Sequence, residues 1–226
     1  VYDVCWFGNG FLPADNDSMK LIKADIRDVG QFAQACEGIE AVIHLACISN
    51  DPSFELDEKL STEINYDAFE PMVKTAKRAG VRRFMYASTV YVQSQAGGFY
   101  RCSKQASELY IEAFQQAYGL PYPMLRYGSL YGPRADETNA VQRYLTQALL
   151  YGKIECLGDG EEVREYIHVE DAARNSVEAL APECENQYVV LTGHQPMTVK
   201  ALLEMIEEIL NKQYDDLKKG WEKSQG

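Results

Sequence analysis

The chain has 226 residues, 46% hydrophobic and 25% charged, with 16 Gly and 8 Pro, which is enough to bury a sizeable core and excludes both disorder and a collagen-like repeat. Twenty-two Lys and Arg against thirty-four Asp and Glu leave a formal charge of −12, which argues against a nucleic-acid backbone or an anionic membrane surface as partner. No apolar run approaches the roughly 20 residues of a bilayer span and Val1-Tyr2-Asp3 lacks the basic and apolar regions of a signal peptide, so a soluble, cytoplasmic protein is expected.

Short apolar runs alternate with segments of helical period, the pattern of strand-helix units around a parallel sheet, and the fold class is read as α/β. Strands are predicted at 1–5, 20–24, 41–46, 82–88 and 122–127, each brief, apolar or β-branched and bounded by Gly, Pro or Asp. Between them, 28–38 carries Val29, Phe32 and Ala35 at helical spacing. The stretch 61–79 opens with Ser61 and Thr62 near Glu63 and closes on Gly80, with Pro71 predicting a kink or break. After residue 130 the alternation fades into a helix near 139–152, short strands at 154–157 and 187–192, and helices at 171–182 and 199–212. The division expected is therefore an α/β domain over 1–130 and a smaller C-terminal region over 131–226 whose segments return to the core. The charged stretch from Asp215 to Gly226 reads as a frayed end.

The six cysteines, at 5, 36, 47, 102, 156 and 184, form no Cys-x-x-Cys pair, so reduced and mostly buried thiols are expected, with no zinc site. His44, His168 and His194 stand far apart beside apolar neighbours and read as packing residues, leaving no metal site.

The strongest chemical signal is Tyr100-Arg101-Cys102-Ser103-Lys104. On a helix, residues four apart share a face, and an ammonium beside a phenol favours the phenolate, lowering its pKa toward the range where it exchanges protons with a substrate hydroxyl. An exposed pair on a solvated face has the same signature. Upstream, Phe84 to Tyr91 reads as a buried strand ending in Ser88 and Thr89 at the carboxyl edge of the sheet, where ligands bind. A hydroxyl there either bridges substrate and tyrosine or satisfies backbone groups at the strand end.

With these blocks in order, the chain resembles the extended short-chain dehydrogenase/reductase superfamily, specifically its NAD-dependent nucleotide-sugar epimerases and dehydratases. Val42-Ile43-His44-Leu45-Ala46 is similar to the strand along the cofactor, Asn65 to an asparagine of the next helix, and Tyr100 with Lys104 to the catalytic pair. Arg126-Tyr127-Gly128-Ser129-Leu130-Tyr131-Gly132-Pro133 resembles the family's Arg-x-x-Asn-Val-Tyr-Gly-Pro. Gly158-Asp159-Gly160 and the run Arg164 to Asp171 match two further blocks.

The resemblance implies a Rossmann-like doubly wound parallel sheet, NAD as cofactor, a nucleotide-sugar substrate and a homodimer packed through 61–79 and 100–118. Tyr100, Lys104 and Thr89 would be catalytic, with Ser88 the alternative hydroxyl. Asp3, Asp25, Ile26, Leu45, Ala46, Ile48, Asn65 and Tyr127 would join Tyr100 and Lys104 around the cofactor, and Ser129, Asn139 and Arg164 would bind substrate. On the residues alone, Asp25 equally caps the next helix, Leu45, Ala46 and Ile48 equally fill a core, and Arg164 equally pairs with Glu161, Glu162 or Glu165.

The chain also departs from the family pattern. Gly8-Asn9-Gly10 has Pro13 three residues on and no helix after it, so it is rejected as a phosphate loop; the resemblance places a strand, a glycine turn and a helix ahead of Val1. Without them dinucleotide affinity is expected to be severely reduced. Ser129 stands where the family has asparagine, and only eight residues separate Tyr91 from Tyr100, where the family has a longer loop. Dehydratases of the superfamily carry Asp-Glu after the catalytic threonine, whereas Val90-Tyr91 follow Thr89 here. The functional expectation is an NAD-dependent nucleotide-sugar 4-epimerase; the alternatives are a 4,6-dehydratase or reductase of the same superfamily, or a non-catalytic dinucleotide-binding sensor.

Overall fold

Arg83-Phe-Met-Tyr-Ala-Ser-Thr89 follows its opening arginine with Phe84, Met85, Tyr86 and Ala87 in succession, and six of its seven residues are buried. A strand covered on both faces needs such a run, and this one, β4, lies at the centre of a parallel sheet. In the computed structural model, which describes residues 1–224 except 11 and 14–16 and the side chains as far as 214, β4 is flanked by β3 (Ala41–His44) and β5 (Pro123–Tyr127), with β9 (Gln187–Leu191) beyond β5. The register pairs Ala41 with Arg83, Thr89 with Tyr127, and Tyr127 with Leu191. Pro123 opens β5, where a missing N–H costs the sheet least. Two further strands, β1 (Tyr2–Asp3) and β2 (Ile22–Lys23), pair in parallel as a separate sheet, with Tyr2 and Val42 on the same apolar core. This is a Rossmann-like α/β fold.

The helices of this part are α1 (Val29–Ala35), α2 (Asp51–Leu56), α3 (Glu58–Thr62), α4 (Phe69–Arg78) and α5 (Gly98–Tyr118), the last closed by Gly119 in the left-handed region with its N–H on Gln115 O at 2.7 Å. The predicted 61–79 helix is broken rather than continuous: a π-helical turn at Glu63–Asp67 separates α3 from α4, just ahead of Pro71. Phe69, Met72, Val73 and Phe84 are almost wholly buried in the core between α4 and the sheet, each contributing about 1.5–3 kcal/mol by leaving water.

The chain divides into two compact units, one of Val1–Tyr127 with Arg174–Leu191 and one of Gly128–Ala173 with Thr192–Gly226. The second unit holds β6 (Ser129–Tyr131) beside β8 (Tyr166–His168), β7 (Val163–Arg164) against β10 (Met197–Thr198), α6 (Ala140–Tyr151) and α8 (Val199–Ser224); α7 (Val169–Glu178) carries the chain back to the first unit. Its core packs Tyr144 against Val199, Leu202 and Ile206. No strand forms at 154–157, and β6, β7, β8 and β10, of two or three residues each, are too short for alternation to mark them. The end expected to fray continues α8 as helix through Ser224. No described helix is long and apolar enough to cross a membrane. Cysteine burial also differs from expectation: Cys36 is buried, Cys102 exposed and the other four half-buried, all as free thiols.

His44 ends β3 against the rings of Phe69, Phe84 and Tyr86, at 5.7–5.9 Å between centroids, a packing residue as expected. Burial, aided by the nearby Lys104 ammonium, depresses its pKa to about 3. The unfolded chain takes up this proton below about pH 6.5 and the folded chain only near 3, so stability is complete above that range and falls as pH drops through it. Between pH 7 and pH 5 His44 is expected to cost about 2 kcal/mol of stability. In urea titrations at the two pH values, His44→Phe should lose less stability than the wild type by that amount.

Candidate active site

α5 buries one stripe of its surface, Tyr100, Ser103, Lys104, Ser107, Glu108, Ile111 and Phe114. The spacing is that of an ordinary packed face, but its first half is polar. Polar groups are buried at a cost unless each finds a partner, and here most do. Lys104, 3% exposed, donates from Nζ to Ala87 O at 2.7 Å and sits 4.9 Å from the centre of the Tyr86 ring and 5.8 Å from that of Tyr100. The sequence expectation that these two heads share a face holds, and the exposed-pair alternative does not.

The start of α5 is shaped by Gly97 and Gly98, both at positive φ. A Cβ on Gly98 would meet the Asp51 carboxylate at the start of α2, and the positive φ favours glycine there, two residues ahead of Tyr100.

The electrostatics correct the sequence reading. Lys104 does pull the Tyr100 phenol toward ionisation, but burial is the larger effect and, with Cys47, Tyr86 and Tyr91 alongside, it raises Tyr100 well above the ordinary tyrosine value. Burial acts to lower Lys104, yet contacts with Cys47, Tyr86 and Tyr100 outweigh it and hold the ammonium above the usual lysine range. In this buried setting the pair is phenol and ammonium, a proton donor first and a base only when charge or contacts at the site change.

The two candidate hydroxyls at the end of β4 are differently engaged. Ser88 donates to Glu108 Oε1, and Glu108 is gripped by Arg126 through Nε at 3.0 Å and Nη2 at 2.6 Å. Ser88 therefore belongs to a buried network. Thr89 accepts from Tyr91 N at 3.3 Å, opening a short 3₁₀ turn at Val90–Gln93. Glu108 was missed by the sequence reading, although it lies one helical turn past Lys104 on the same stripe.

A cleft of about 270 Å³ opens beside the ends of β1, β2 and β3, lined by Asp3, Trp6, Phe7, Asp25, Ile26, Leu45, Ala46, Cys47 and Ile48 among others. The cofactor candidates of the first 50 residues thus meet in one place. Phe7 is 86% and Leu45 59% exposed on its wall, apolar surface that a flat aromatic ligand would cover. Asp3 accepts Cys5 N–H at 2.5 Å, and Asp25 is held by Arg27, which lowers its pKa against the effect of burial. Asp25 does not cap α1; Asp28 does. Asn65, 4% exposed within the π turn, clamps Ile48 by accepting its N–H at 2.7 Å and donating to its carbonyl at 2.9 Å. Its amide fixes the cleft wall rather than lining it. Such π turns recur at functional sites. Tyr127 shares a 2.6 Å hydrogen bond with Ser176, and burial raises its pKa. These residues fit the adenosine end of a dinucleotide, a carboxylate for ribose hydroxyls and apolar walls for the base.

In the second unit the three substrate candidates are neighbours. Ser129 N donates to Glu165 O at 2.7 Å, next to Arg164, and Asn139 donates to Leu130 O at 2.7 Å while capping α6 through Gln142 N at 3.2 Å. A side chain on Gly128 would strike the Glu165 carbonyl, which explains the glycine in that motif.

Residues 7–190 match the model of the NAD dependent epimerase/dehydratase family. The chain belongs to this family. A UDP-glucuronate 4-epimerase from Thermodesulfobacterium geofontis is 24% identical over 94% of the chain and 71% of its own length. Among solved structures, a UDP-glucose 4-epimerase from Thermotoga maritima with UDP-glucose gives a TM-score of 0.83 at 23% identity, covering 92% of this chain and 73% of the other. A dTDP-glucose 4,6-dehydratase from Streptomyces venezuelae with NAD gives 0.79 at 26% identity, covering 87% and 65%. The chain thus spans about two thirds of the length of these family members.

Proposed function

We propose that the protein is an NAD-dependent nucleotide-sugar 4-epimerase acting on a UDP-linked sugar. The observation that carries this reading is the buried Lys104 beside Tyr100 at the carboxyl end of a parallel sheet. NAD, when bound, supplies a reversible store for hydride. Tyr100 takes the proton of the sugar hydroxyl as that carbon is oxidised to a ketone and returns it when the ketone is reduced on its other face, so no net redox change remains. Lys104, fixed by Ala87 O, offsets the negative charge that Tyr100 carries as the phenolate before it takes the proton, and Thr89 orients the hydroxyl. Arg164 holds the diphosphate of the sugar nucleotide, a local cation in a chain of net charge −12. Val90 and Tyr91, in place of an acid pair after Thr89, favour epimerisation over loss of water. The same reading takes the protein as cytoplasmic and homodimeric, with Tyr66, Leu109 and Tyr118, exposed on the two helical segments, at the subunit interface.

The test is incubation of the protein and NAD with UDP-glucose, UDP-glucuronate or UDP-N-acetylglucosamine, with chromatography of the released sugars. Formation of the C4 epimer is expected. A 4-keto-6-deoxy product would replace the reading with dehydration, and bound NAD with no product from any of the three would replace it with a binding protein.

A further inference from the structure

The proposed reaction uses the charge of Lys104 but gives no role to the ring beneath it. A buried lysine is a flexible four-carbon stem ending in an ion that has left water, and such an ion needs partners to keep its place and its charge. The carboxylate one turn further along α5, Glu108, is taken up by Arg126 and Ser88. The Lys104 ammonium instead donates to Ala87 O at 2.7 Å and lies over two aromatic rings, 4.9 Å from the centre of Tyr86 and 5.8 Å from that of Tyr100.

Tyr86 is the closer of the two rings. It is 1% exposed in the central strand β4, in register with His44 on one side and Met124 on the other. Its ring packs against that of His44 at 5.7 Å and edge to face with Phe69 at 4.9 Å between centroids, so it is held on the sheet. The next residue of the same strand supplies the carbonyl. Two adjacent residues of β4, Tyr86 and Ala87, thus fix the cation to the middle of the sheet, while Tyr100, the group whose charge changes in the reaction, comes from α5.

A carboxylate in the place of this ring would cancel much of the ammonium's charge and would itself repel a phenolate on Tyr100. The face of an aromatic ring attracts a cation through its quadrupole yet carries no net charge. We propose, resting on the epimerase reading, that Tyr86 is a positioning residue acting through Lys104: the face of its ring holds the ammonium where the whole of its charge acts on the Tyr100 oxygen during proton transfer. With that attraction weakened, the ammonium roams further on its stem and spends less time beside Tyr100.

The test changes the electronics of the ring and keeps its shape. Tyr86→Phe retains a benzene face and is the reference. Trifluorophenylalanine at position 86, its fluorines on the outer ring carbons, has nearly the same volume but a face drained of negative charge, and the monofluorinated ring lies between them. In the full chain with NAD and whichever of UDP-glucose, UDP-glucuronate and UDP-N-acetylglucosamine is epimerised, the trifluorinated ring is expected to lower kcat/KM about tenfold relative to Tyr86→Phe, with the monofluorinated ring intermediate. A packing role alone would leave the three equal. Equal values across the series, or a rise with fluorination, overturn the proposal.

A second measurement needs no turnover. Urea unfolding of the Tyr86→Phe and trifluorinated proteins, each with Lys104 and with Lys104→Met, makes a double-mutant cycle in which the contacts of the ring with His44 and Phe69 cancel. Fluorination is expected to lower the folding equilibrium constant about tenfold more with Lys104 than with methionine, in the range of a desolvated cation–π contact. A coupling below about twofold overturns the contact. Coupling with no epimer formed by any of the proteins, the wild type included, defeats the epimerase reading and, with it, the role in catalysis, whereas turnover that ignores fluorination defeats only the role of Tyr86.

Discussion

Replacement of Tyr100 by phenylalanine is expected to lower kcat for epimerisation by about 10³-fold, within the range set by losing a general acid-base group, while NAD binding changes by no more than about threefold. The split follows from where the side chains are tied. Lys104 is anchored on Ala87 O, not on Tyr100, so the ammonium keeps its place when the hydroxyl goes. The ring of Tyr100 is buried and phenylalanine fills the same volume, which keeps the start of α5 against α2. Chromatography of product sugars gives kcat, and calorimetric titration with NAD gives the affinity. Turnover above a tenth of wild type would remove Tyr100 from the proton path. Because burial holds Tyr100 as a phenol, wild-type kcat/KM should also rise with pH through the neutral range rather than plateau there. The ionised fraction grows about tenfold per pH unit below the pKa.

The Tyr100–Lys104 pair was legible because helical spacing of four is a strong local rule and both residues lie on one long helix. The strands of the central sheet were legible for a similar reason: β4 and β5 are buried on both faces and read as apolar runs. The π turn at Glu63–Asp67 was not, because the segments on either side of it each keep a helical apolar period and only the phase between them shifts; Pro71 alone hinted at the interruption. What the turn achieves, the aiming of the Asn65 amide at both backbone groups of Ile48, depends on a partner 17 residues away. The direction of the Tyr100 shift was misread for a related reason. Sequence places the cation beside the phenol but carries no measure of desolvation, and at a residue 8% exposed desolvation is the larger effect.

The largest loss of stability is expected at Glu108. Its carboxylate is 6% and the Arg126 side chain 14% exposed, and the two meet through parallel hydrogen bonds while Ser88 donates to the same carboxylate. The attraction of such a pair is largely offset by the cost of removing both ions from water, so its presence adds little net stability. Removing one partner is different. Glu108→Ala leaves a mostly buried guanidinium over the Tyr188 ring, 4.0 Å from the ring centre, without its carboxylate, and leaves the Ser88 hydroxyl without its acceptor. The expected cost is about 3–5 kcal/mol, read as a shift of the urea midpoint. The double variant Glu108→Leu with Arg126→Met removes both charges and fills much of the volume, so it should recover most of that loss. If it is no more stable than Glu108→Ala, shape rather than charge holds the end of β4 to α5. The distinction matters for catalysis because Ser88 precedes Thr89 and follows Ala87, whose carbonyl anchors Lys104. A charge network that fixes Ser88 fixes the backbone on both sides of it, so the double variant, stable but without the clamp, should show reduced kcat with NAD affinity near wild type.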